Sequence, residues 1–242
     1  FRTVICVGDV YLLLQTLWGQ GQLPVLMATA KTVRLSGHWK LERFLLRHRC
    51  RRVWTRDEET AGEMISNNVD AVYSGNPIMD LLCDNNEGDS PWTRDEEISR
   101  ILLLPGSRER AYRDMSLILQ TALLLKDMIR AEFTLVIAPS IRIGRMIREN
   151  PGWSFVGDTL QKGNFRIRVL KGNLVGAAGS ADIVLGFGGT ANQLCAGMGK
   201  PVVSMVEKGK NVQKKLLGDA ESLVPGTPGS LASEIRRIMC SR

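Results

Sequence analysis

The chain has 242 residues, of which 44% are hydrophobic and 24% are charged, as in most globular proteins. This length allows one large or two small α/β domains. The formal charge of +7 favours an anionic partner: a nucleotide, a phospholipid surface or a nucleic acid. No apolar stretch reaches the roughly 20 residues of a membrane span, so no transmembrane helix is predicted.

Cysteine and histidine usage argues against a metal centre. The five cysteines show no CxxC spacing, and there are only two histidines, so we predict no zinc site. No Asp-x-Asp pair is placed to chelate another metal ion. An odd number of scattered cysteines predicts reduced thiols and a cytoplasmic location.

The first 82 residues alternate short apolar strands with helical segments, which predicts an α/β domain over 1–82. The strands are predicted at 3–7, 24–27, 52–55 and 71–74, and the helices at 11–17, 38–49 and 58–66. Residues 83–97 are polar, contain Asn, Gly and Pro, and lack apolar periodicity. We interpret them as an inter-domain linker.

A second alternation of strands and helices fills residues 98–242. The strands are predicted at 100–104, 133–138, 154–156, 165–170, 183–186 and 202–206. The helices are predicted at 112–130, 141–149, 174–179, 191–198, 212–217 and 231–239. This alternation predicts a parallel, doubly wound sheet with ligand sites at the carboxyl ends of its strands.

A glycine-bearing turn follows the first strand of this second domain. Gly106 allows close approach of the backbone to a ligand, and Ser107 can cap the next helix or hydrogen-bond an oxygen. The helix N-terminus favours an anion, and Arg108 can form a bidentate contact with a phosphate. The alternative is an ordinary capped strand–helix turn, which is common in α/β domains.

A second glycine-bearing turn follows the strand at 183–186. Gly188 and Gly189 permit positive φ and close contact with a ligand. Thr190 can donate to a phosphate oxygen, and Gln193 can reach a ribose hydroxyl one turn into the helix. The turn is neither a Walker loop nor a GxGxxG motif. Two such turns in one domain favour a nucleotide site over two purely structural turns.

Several short motifs carry a resemblance to a known family. They are Leu103-Leu104-Pro105-Gly106-Ser107-Arg108, the Gly75-Asn76-Pro77 corner with Asp80, and Gly189-Thr190-Ala191 followed by Gly199-Lys200-Pro201. In this order and spacing the chain resembles lipid-A-disaccharide synthase, and more closely the lipid-A-disaccharide synthase-related proteins. Thr29-Ala30-Lys31 and the segment 180–186 fit the same group, so the resemblance covers nearly the whole chain.

The resemblance implies a GT-B-like α/β fold, in which two Rossmann-like domains with parallel sheets face a cleft. Residues 98–242 would bind a UDP-sugar. The residues expected near its diphosphate are Gly106, Ser107, Arg108, Gly188, Gly189 and Thr190. Gln193 stands where related proteins often carry Glu, which binds ribose hydroxyls. An amide can still bond a hydroxyl, at lower strength than a carboxylate.

The same resemblance implies an incomplete N-terminal, acceptor-side domain. The family's Gly-Glu-x-Ser-Gly-Asp segment is missing, so the chain is expected to begin midway through that domain. Asp9 follows the first strand, in the region of the synthase's essential acidic residue. It would act as general base on an acceptor hydroxyl. The alternative for Asp9 is a helix cap.

A basic stretch at 34–56 stands beside two tryptophans. The residues involved are Lys40, Arg43, Arg47, Arg49, Arg51, Arg52 and Arg56, with Trp39 and Trp54. Such a surface can rest on anionic lipid, with its aromatics at the headgroup level. The alternative is a solvated helix face. No nucleic-acid-binding signature accompanies the charge, so nucleic acid is not an expected partner.

Together these observations predict a glycosyltransferase that moves a sugar from a UDP-sugar to a lipid or cell-envelope acceptor at the inner membrane face. It would need no metal and no separate cofactor, because Arg108 and the turn amides would stabilise the leaving diphosphate. Asn211 and Gln213, beyond the last predicted strand, are further candidates for a sugar contact.

Two alternatives stay open. A UDP-sugar 2-epimerase has the same fold, and its corner can also read Gly-Asn-x…Asp, as at Gly75, Asn76 and Asp80. However, no His-Arg pair follows the first strand of the second domain, where Gly106-Ser107-Arg108 stands instead. The second alternative is a nucleotide-binding protein without turnover.

Overall fold

The computed structural model of the chain describes residues 3–16, 23–28, 31–82, 91–93, 95, 97–207 and 210–241. The chain divides into two compact units, Phe1–Cys83 and Asp84–Arg242. Most of the predicted linker at 83–97, and the last residue of the predicted helix at 11–17, lie outside the described residues. Each unit is a layered α/β structure, as the alternation of strands and helices predicts.

The first unit contains a parallel sheet of four strands in the order β1-β2-β3-β4. Its strands are β1 (Ile5–Val7), β2 (Val25–Ala28), β3 (Arg52–Thr55) and β4 (Ala71–Val72). Its helices are α1 (Val10–Thr16), α2 (Lys40–Arg49) and α3 (Glu58–Ser66), with a 3-10 helix at Pro77–Leu82. Apolar side chains from the sheet and all three helices form one core, including Leu13, Leu26, Leu46, Val53 and Met64.

The second unit contains an eight-stranded sheet with helices on both faces. Its strands are β5 (Ser99–Leu104), β6 (Ala131–Ile137), β7 (Ser154–Val156), β8 (Thr159–Lys162), β9 (Phe165–Lys171), β10 (Ile183–Gly186), β11 (Val202–Met205) and β12 (Glu221–Val224). Its helices are α4 (Arg110–Leu125), α5 (Ile143–Arg148), α6 (Leu174–Gly179), α7 (Thr190–Gly197), α8 (Lys210–Leu217) and α9 (Pro228–Cys240), with a 3-10 helix at Gly218–Ala220.

The sequence of strand β5 is a continuous apolar run because both of its faces are covered. Ile101 and Leu103 belong to the core on one face of the sheet, and Leu102 and Leu104 belong to the core on the other face. Successive side chains of a strand point to opposite faces. A central strand covered on both sides must therefore be apolar at every position.

The strand order in the second unit is β12-β11-β10-β5-β6-β9-β8-β7. From β5 the chain moves to β6 on one side, and it later places β10 on the other side. The order therefore reverses between β5 and β10, and ligands of open α/β sheets bind in the crevice beyond such a reversal.

One edge of the second sheet is antiparallel, which the sequence analysis did not anticipate. Strands β7, β8 and β9 form successive hairpins, and β8 was not predicted at all. The two connecting turns are short and contain Gly157 at φ 62° and Gly163 at φ 58°. Positive φ at glycine is what tight hairpin turns require, so these two glycines were the signal for the extra strand.

Strand β12 is the second missed element. It opens with Glu221, which is fully buried, and it pairs in parallel with β11. A charged residue at the start of a four-residue segment does not read as a buried strand. The predicted helix at 112–130 is also shifted, because α4 runs from Arg110 to Leu125.

The described part of the predicted linker belongs partly to the second unit's core. Trp92 is buried with Leu102 and Leu104, and its indole Nε1 donates to the carbonyl of Ala177 at 2.8 Å. Thr93 donates its amide to Glu132 at 2.9 Å. A single large aromatic carries this packing, so apolar periodicity could not reveal it.

We expect Trp92→Ala to lower the free energy of unfolding of the second unit by about 3–5 kcal/mol. The change removes a buried aromatic side chain and its hydrogen bond. Urea unfolding followed by far-ultraviolet circular dichroism measures the effect. Val156→Ala is the control in the same unit, because Val156 is 59% exposed and its loss should change the stability by less than about 0.5 kcal/mol. Equal effects of the two variants would contradict the packing of Trp92.

Candidate functional site

A cavity of about 480 Å³ opens at the carboxyl ends of β5, β6 and β10, beyond the reversal of strand order. Its lining consists of residues 104–108, 110–111, 136–139, 172, 174 and 187–191. Six of the predicted site residues are therefore brought together: Gly106, Ser107, Arg108, Gly188, Gly189 and Thr190.

The first turn leaves β5 at Leu104 and enters α4. Gly106 has φ 99°, a conformation that favours glycine. Ser107 and Arg108 are exposed on the turn. Ser107 does not cap α4, because Glu109 occupies the cap position and makes no side-chain cap bond. The carbonyl of Ser107 instead accepts from the Ser140 hydroxyl at 3.0 Å, which ties the turn to the loop after β6.

The second turn leaves β10 and enters α7. Its glycines do not use positive φ, contrary to one of the sequence-based reasons for them, since φ at Gly189 is −88° and Gly188 also lies outside the left-handed region. An added Cβ at Gly188 would make ordinary contacts, 3.7 Å from the Gly106 Cα and 3.5 Å from the Ala191 Cβ. A Cβ added to Gly106 would lie 3.8 Å from the Gly188 Cα, so the backbones of the two turns are in contact.

The two turns are joined by a backbone hydrogen bond. The amide of Phe187 donates to the carbonyl of Leu104 at 2.8 Å, which extends the β5–β10 pairing past the end of β10. The amides of Gly106, Ser107, Gly188 and Gly189, by contrast, find no acceptor among the residues that the structure describes. Unpaired amides at helix N-termini are a common way to bind an anion.

The charged residues of the cavity lining are two arginines. Arg108 is exposed and has no ion-pair partner within the described part of the chain. Arg110, which the sequence analysis missed, pairs with Asp114 at 2.5 Å and also with Glu207. Burial opposes the charge of Arg110, but its bonds to both carboxylates outweigh burial and raise its pKa. Arg108 is thus the cation with charge available for a ligand.

The opposite wall of the cavity is apolar. Val136, Ala138 and Pro139 come from the end of β6 and the loop after it, and Leu174 begins α6. Gly172 has φ 80°, and its amide donates to the carbonyl of Ile137 at 3.1 Å. This wall offers a surface for a flat, weakly polar group.

A buried polar group lies behind the second turn, and the sequence analysis did not find it. Asn192 and Glu221 are fully buried, and Lys210 and Gln213 are nearly so. Their side chains bond one another and the carbonyls of the turn. Gln213 was predicted to touch a sugar, but it is turned inward and its amide donates to Glu221 at 2.9 Å. Asn211, the other residue of that prediction, is exposed.

Two predicted site residues are not part of the cavity lining. Gln193 is half-buried, one turn into α7, and it lies outside the lining residues; its contact with a ribose stays a prediction. Asp9 is exposed at the start of α1, where its carboxylate accepts from the amide of Tyr11 at 2.9 Å. Asp9 therefore makes the helix-capping contact that was the alternative to a general base.

The basic stretch at 34–56 is partly neutralised by ion pairs. Three of its cations have carboxylate partners: Arg34 with Glu59, Arg43 with Glu63, and Arg52 with Asp70. Trp39 and two further apolar residues of α2, Leu41 and Phe44, are more than half exposed. Contact of this face with anionic lipid stays a prediction.

Within the described residues, no helix is long and apolar enough to cross a membrane. The same part of the chain contains no group of three His, Cys, Asp or Glu side chains that could hold a metal ion.

The sequence matches no protein-family model and no curated protein sequence. The fold, however, is similar to solved structures along nearly the whole chain. A Listeria monocytogenes protein provisionally assigned as UDP-N-acetylglucosamine 2-epimerase has a TM-score of 0.65 at 13% identity, over 98% of this chain and 66% of its own. The UDP-GlcNAc 2-epimerase of Methanocaldococcus jannaschii has a TM-score of 0.63 at 14% identity, over 96% of this chain and 68% of its own.

A third similar structure is the Neisseria meningitidis UDP-GlcNAc 2-epimerase bound to UDP-GlcNAc. Its TM-score is 0.61 at 13% identity, over 98% of this chain and 67% of its own. The chain thus spans about two thirds of the length of the structures it matches. The likeness confirms the predicted α/β fold, with Rossmann-like units and parallel sheets of the GT-B-like type.

The prediction of a glycosyltransferase is contradicted by these similarities. The three similar structures described above carry the name UDP-GlcNAc 2-epimerase, which was the alternative to the transferase. No family match supports the narrower resemblance to lipid-A-disaccharide synthase. The motifs that carried that resemblance include both turns of the cavity, and turns of this kind are not specific to one reaction. The lipid acceptor was part of the transferase prediction, and none of these similarities supports it.

The second turn gives a direct test of its geometry. A Cβ on Gly186 would lie 2.2 Å from the Asn192 side-chain oxygen, whereas a Cβ on Gly189 would meet nothing within 4 Å. We expect Gly186→Ala to destabilise the second unit by about 1–3 kcal/mol through overpacking. Gly189→Ala should change its stability by less than about 0.5 kcal/mol. Urea unfolding measures both, and equal values would contradict the close packing behind the turn.

Proposed function

We propose that the second unit binds the UDP part of a nucleotide sugar and that the chain acts in the manner of a UDP-sugar 2-epimerase. The observation that carries the proposal is the contact between the two glycine-bearing turns, which places unpaired amides and Arg108 around one cavity. The solved structures that share the fold support the choice of ligand, since one is a complex with UDP-GlcNAc and another is a complex with UDP.

The chemistry of the cavity fits the two ends of UDP. Amides of Gly106, Ser107, Gly188 and Gly189 and the guanidinium of Arg108 would hold the diphosphate. The apolar wall formed by Ala138, Pro139 and Leu174 would pack against the uracil ring. The volume of about 480 Å³ falls within the roughly 300–1,000 Å³ of small-molecule sites. Arg108, whose charge is not neutralised by a carboxylate among the described residues, favours an anionic ligand.

Epimerisation suits the chain better than transfer, because it rearranges one bound sugar and needs no acceptor. Inversion at C2 does need groups that remove and return a proton. The lining of this cavity contributes arginines but no carboxylate or histidine, so it is a binding site for the nucleotide and not the source of the acid and base. This observation also favours the second candidate, a nucleotide-binding protein without turnover.

We expect UDP to raise the melting temperature of the chain, because a ligand that binds only the folded state stabilises it. The stabilisation is about 2.7 kcal/mol at a hundredfold excess over Kd. Arg108→Ala should weaken UDP binding by about 10- to 100-fold, since a hydrogen bond to a charged group contributes about 1.5–3 kcal/mol. Thermal shift and isothermal titration calorimetry measure these effects. ATP is tested in the same way as the comparison nucleotide.

The matched control is Arg148→Ala. Arg148 is an exposed arginine on α5 that does not line the cavity, so the variant makes the same change of net charge. UDP affinity should stay within about twofold of the unaltered chain. Stabilisation by ATP equal to that by UDP, or equal losses in the two arginine variants, would rule out a specific UDP site at this cavity.

Turnover separates the two candidate functions. We expect the chain to convert UDP-GlcNAc into its C2 epimer, which changes the proton NMR spectrum of the sugar. If a proton is removed from C2 and returned, the reaction in D2O also places deuterium at C2. UDP binding without either change, at enzyme concentrations equal to substrate, would leave the non-catalytic nucleotide-binding protein as the function.

A further inference from the structure

We propose that Lys210, Gln213, Asn192 and Glu221 are positioning residues for the cavity, because they fix the carbonyls of the second turn and thereby direct the amide of Gly189 to the ligand. The four side chains form a continuous buried group between β12, α7 and α8. This inference rests on the proposed binding of a diphosphate, but it concerns residues that do not line the cavity.

The carbonyl of Gly188 is held by two side chains from α8. Lys210 donates its ammonium to this oxygen at 3.1 Å, and the Gln213 amide lies at 3.4 Å from the same oxygen. Lys210 also donates to the Gln213 side-chain oxygen at 3.1 Å. A peptide whose carbonyl is bound on one side must direct its N–H to the opposite side. The peptide between Gly188 and Gly189 therefore has its oxygen fixed away from the cavity.

The carbonyl of Gly186 is held by α7. The N–H of this peptide belongs to Phe187 and donates to the Leu104 carbonyl, so this bond fixes the junction of the two turns and not an amide of the cavity. The Asn192 amide donates to the Gly186 carbonyl at 2.9 Å and reaches Glu221 Oε1 at 3.2 Å. The Gln213 amide donates to the same Glu221 oxygen at 2.9 Å. Glu221 is thus the common acceptor that fixes Asn192 and Gln213, and through them both carbonyls of the turn.

Fixing the carbonyls matters because the turn is made largely of glycine, whose backbone has more conformational freedom than any other. A peptide flip would turn a carbonyl oxygen toward the diphosphate and replace a favourable contact with a repulsive one. Electrostatic groups act best on a ligand when they are already oriented before it binds. Residues that prevent the flip thereby increase affinity without touching the ligand.

The group contains one cation and one anion, which makes burial of both tolerable. Burial lowers the pKa of Lys210, while the charge of Glu221 opposes that shift. Burial raises the pKa of Glu221, and bonding to Asn192 and the charge of Lys210 oppose it. Lys210 and Glu221 are joined through the Gln213 side chain, which accepts from Lys210 and donates to Glu221, and buried charges in such an arrangement contribute little net stability. Its presence beside the turn is better explained by the geometry that it imposes.

The test compares UDP affinity with stability in three variants. Lys210→Met removes the donor to the Gly188 carbonyl, and Glu221→Gln keeps an acceptor for Asn192 and Gln213. Glu234→Gln is the control, because Glu234 accepts from Ser222, which is also on β12, and from Arg237 on α9, without a contact to the turn. UDP Kd by calorimetry and the midpoint of urea unfolding are measured for each.

We expect Lys210→Met to raise the Kd for UDP at least tenfold, with Glu221→Gln closer to the unaltered chain. Glu234→Gln should lower the unfolding midpoint and leave the Kd within twofold. If Lys210→Met does not fold, Gln213→Met gives the same comparison, with an expected loss of three- to tenfold. If the increase in Kd across the variants depends only on how much each variant lowers the unfolding midpoint, the inference is wrong. Failure of the unaltered chain to bind UDP would instead overturn the proposed function.

Discussion

The candidate site exists because the second sheet reverses its strand order between β5 and β10. Connections that leave these two neighbouring strands run to opposite sides, so a crevice opens at their carboxyl ends. The hydrogen bond from the Phe187 amide to the Leu104 carbonyl holds the two departing turns in contact for one residue more. Gly106 takes φ 99°, a conformation that favours glycine, and an added Cβ there would lie 3.8 Å from the Gly188 Cα, so the two turns are in van der Waals contact. Every other feature of the cavity depends on this contact.

Much of the fold could be predicted, because a buried parallel strand and an amphipathic helix each have a clear periodicity. Strand β5 was predicted to within one residue, and helix α4 was predicted to begin two residues late and to end five residues late. Strand β8 and strand β12 were missed because short, partly polar strands take their identity from the neighbours they pair with. Trp92 was assigned to the linker because a single buried residue produces no apolar periodicity.

The backbone turns of the candidate site could be predicted from the sequence. The buried side chains behind them could not, because they come from separate elements that meet only in the folded chain. Gly106 and Gly188 follow apolar strands, and that local arrangement is visible in the sequence. Lys210, Asn192 and Glu221 belong to three different elements, and each alone looks like an ordinary surface residue. Their burial and mutual bonds arise only when α7, α8 and β12 pack together, so no spacing in the sequence could reveal them.

The error over the reaction has a physical cause as well. A transferase and an epimerase that act on a UDP-sugar must both hold a diphosphate, and glycine-bearing turns at helix N-termini suit that task in either case. The motifs behind the resemblance therefore describe binding and say nothing of what happens to the sugar. The reaction is decided by acids and bases beside the sugar, and the lining of this cavity offers only Arg108 and Arg110 as charged groups. Glycine-bearing turns that suit a phosphate and an acid–base pair that acts on a sugar are different sets of residues, so a motif that identifies the turns is shared by enzymes with different reactions.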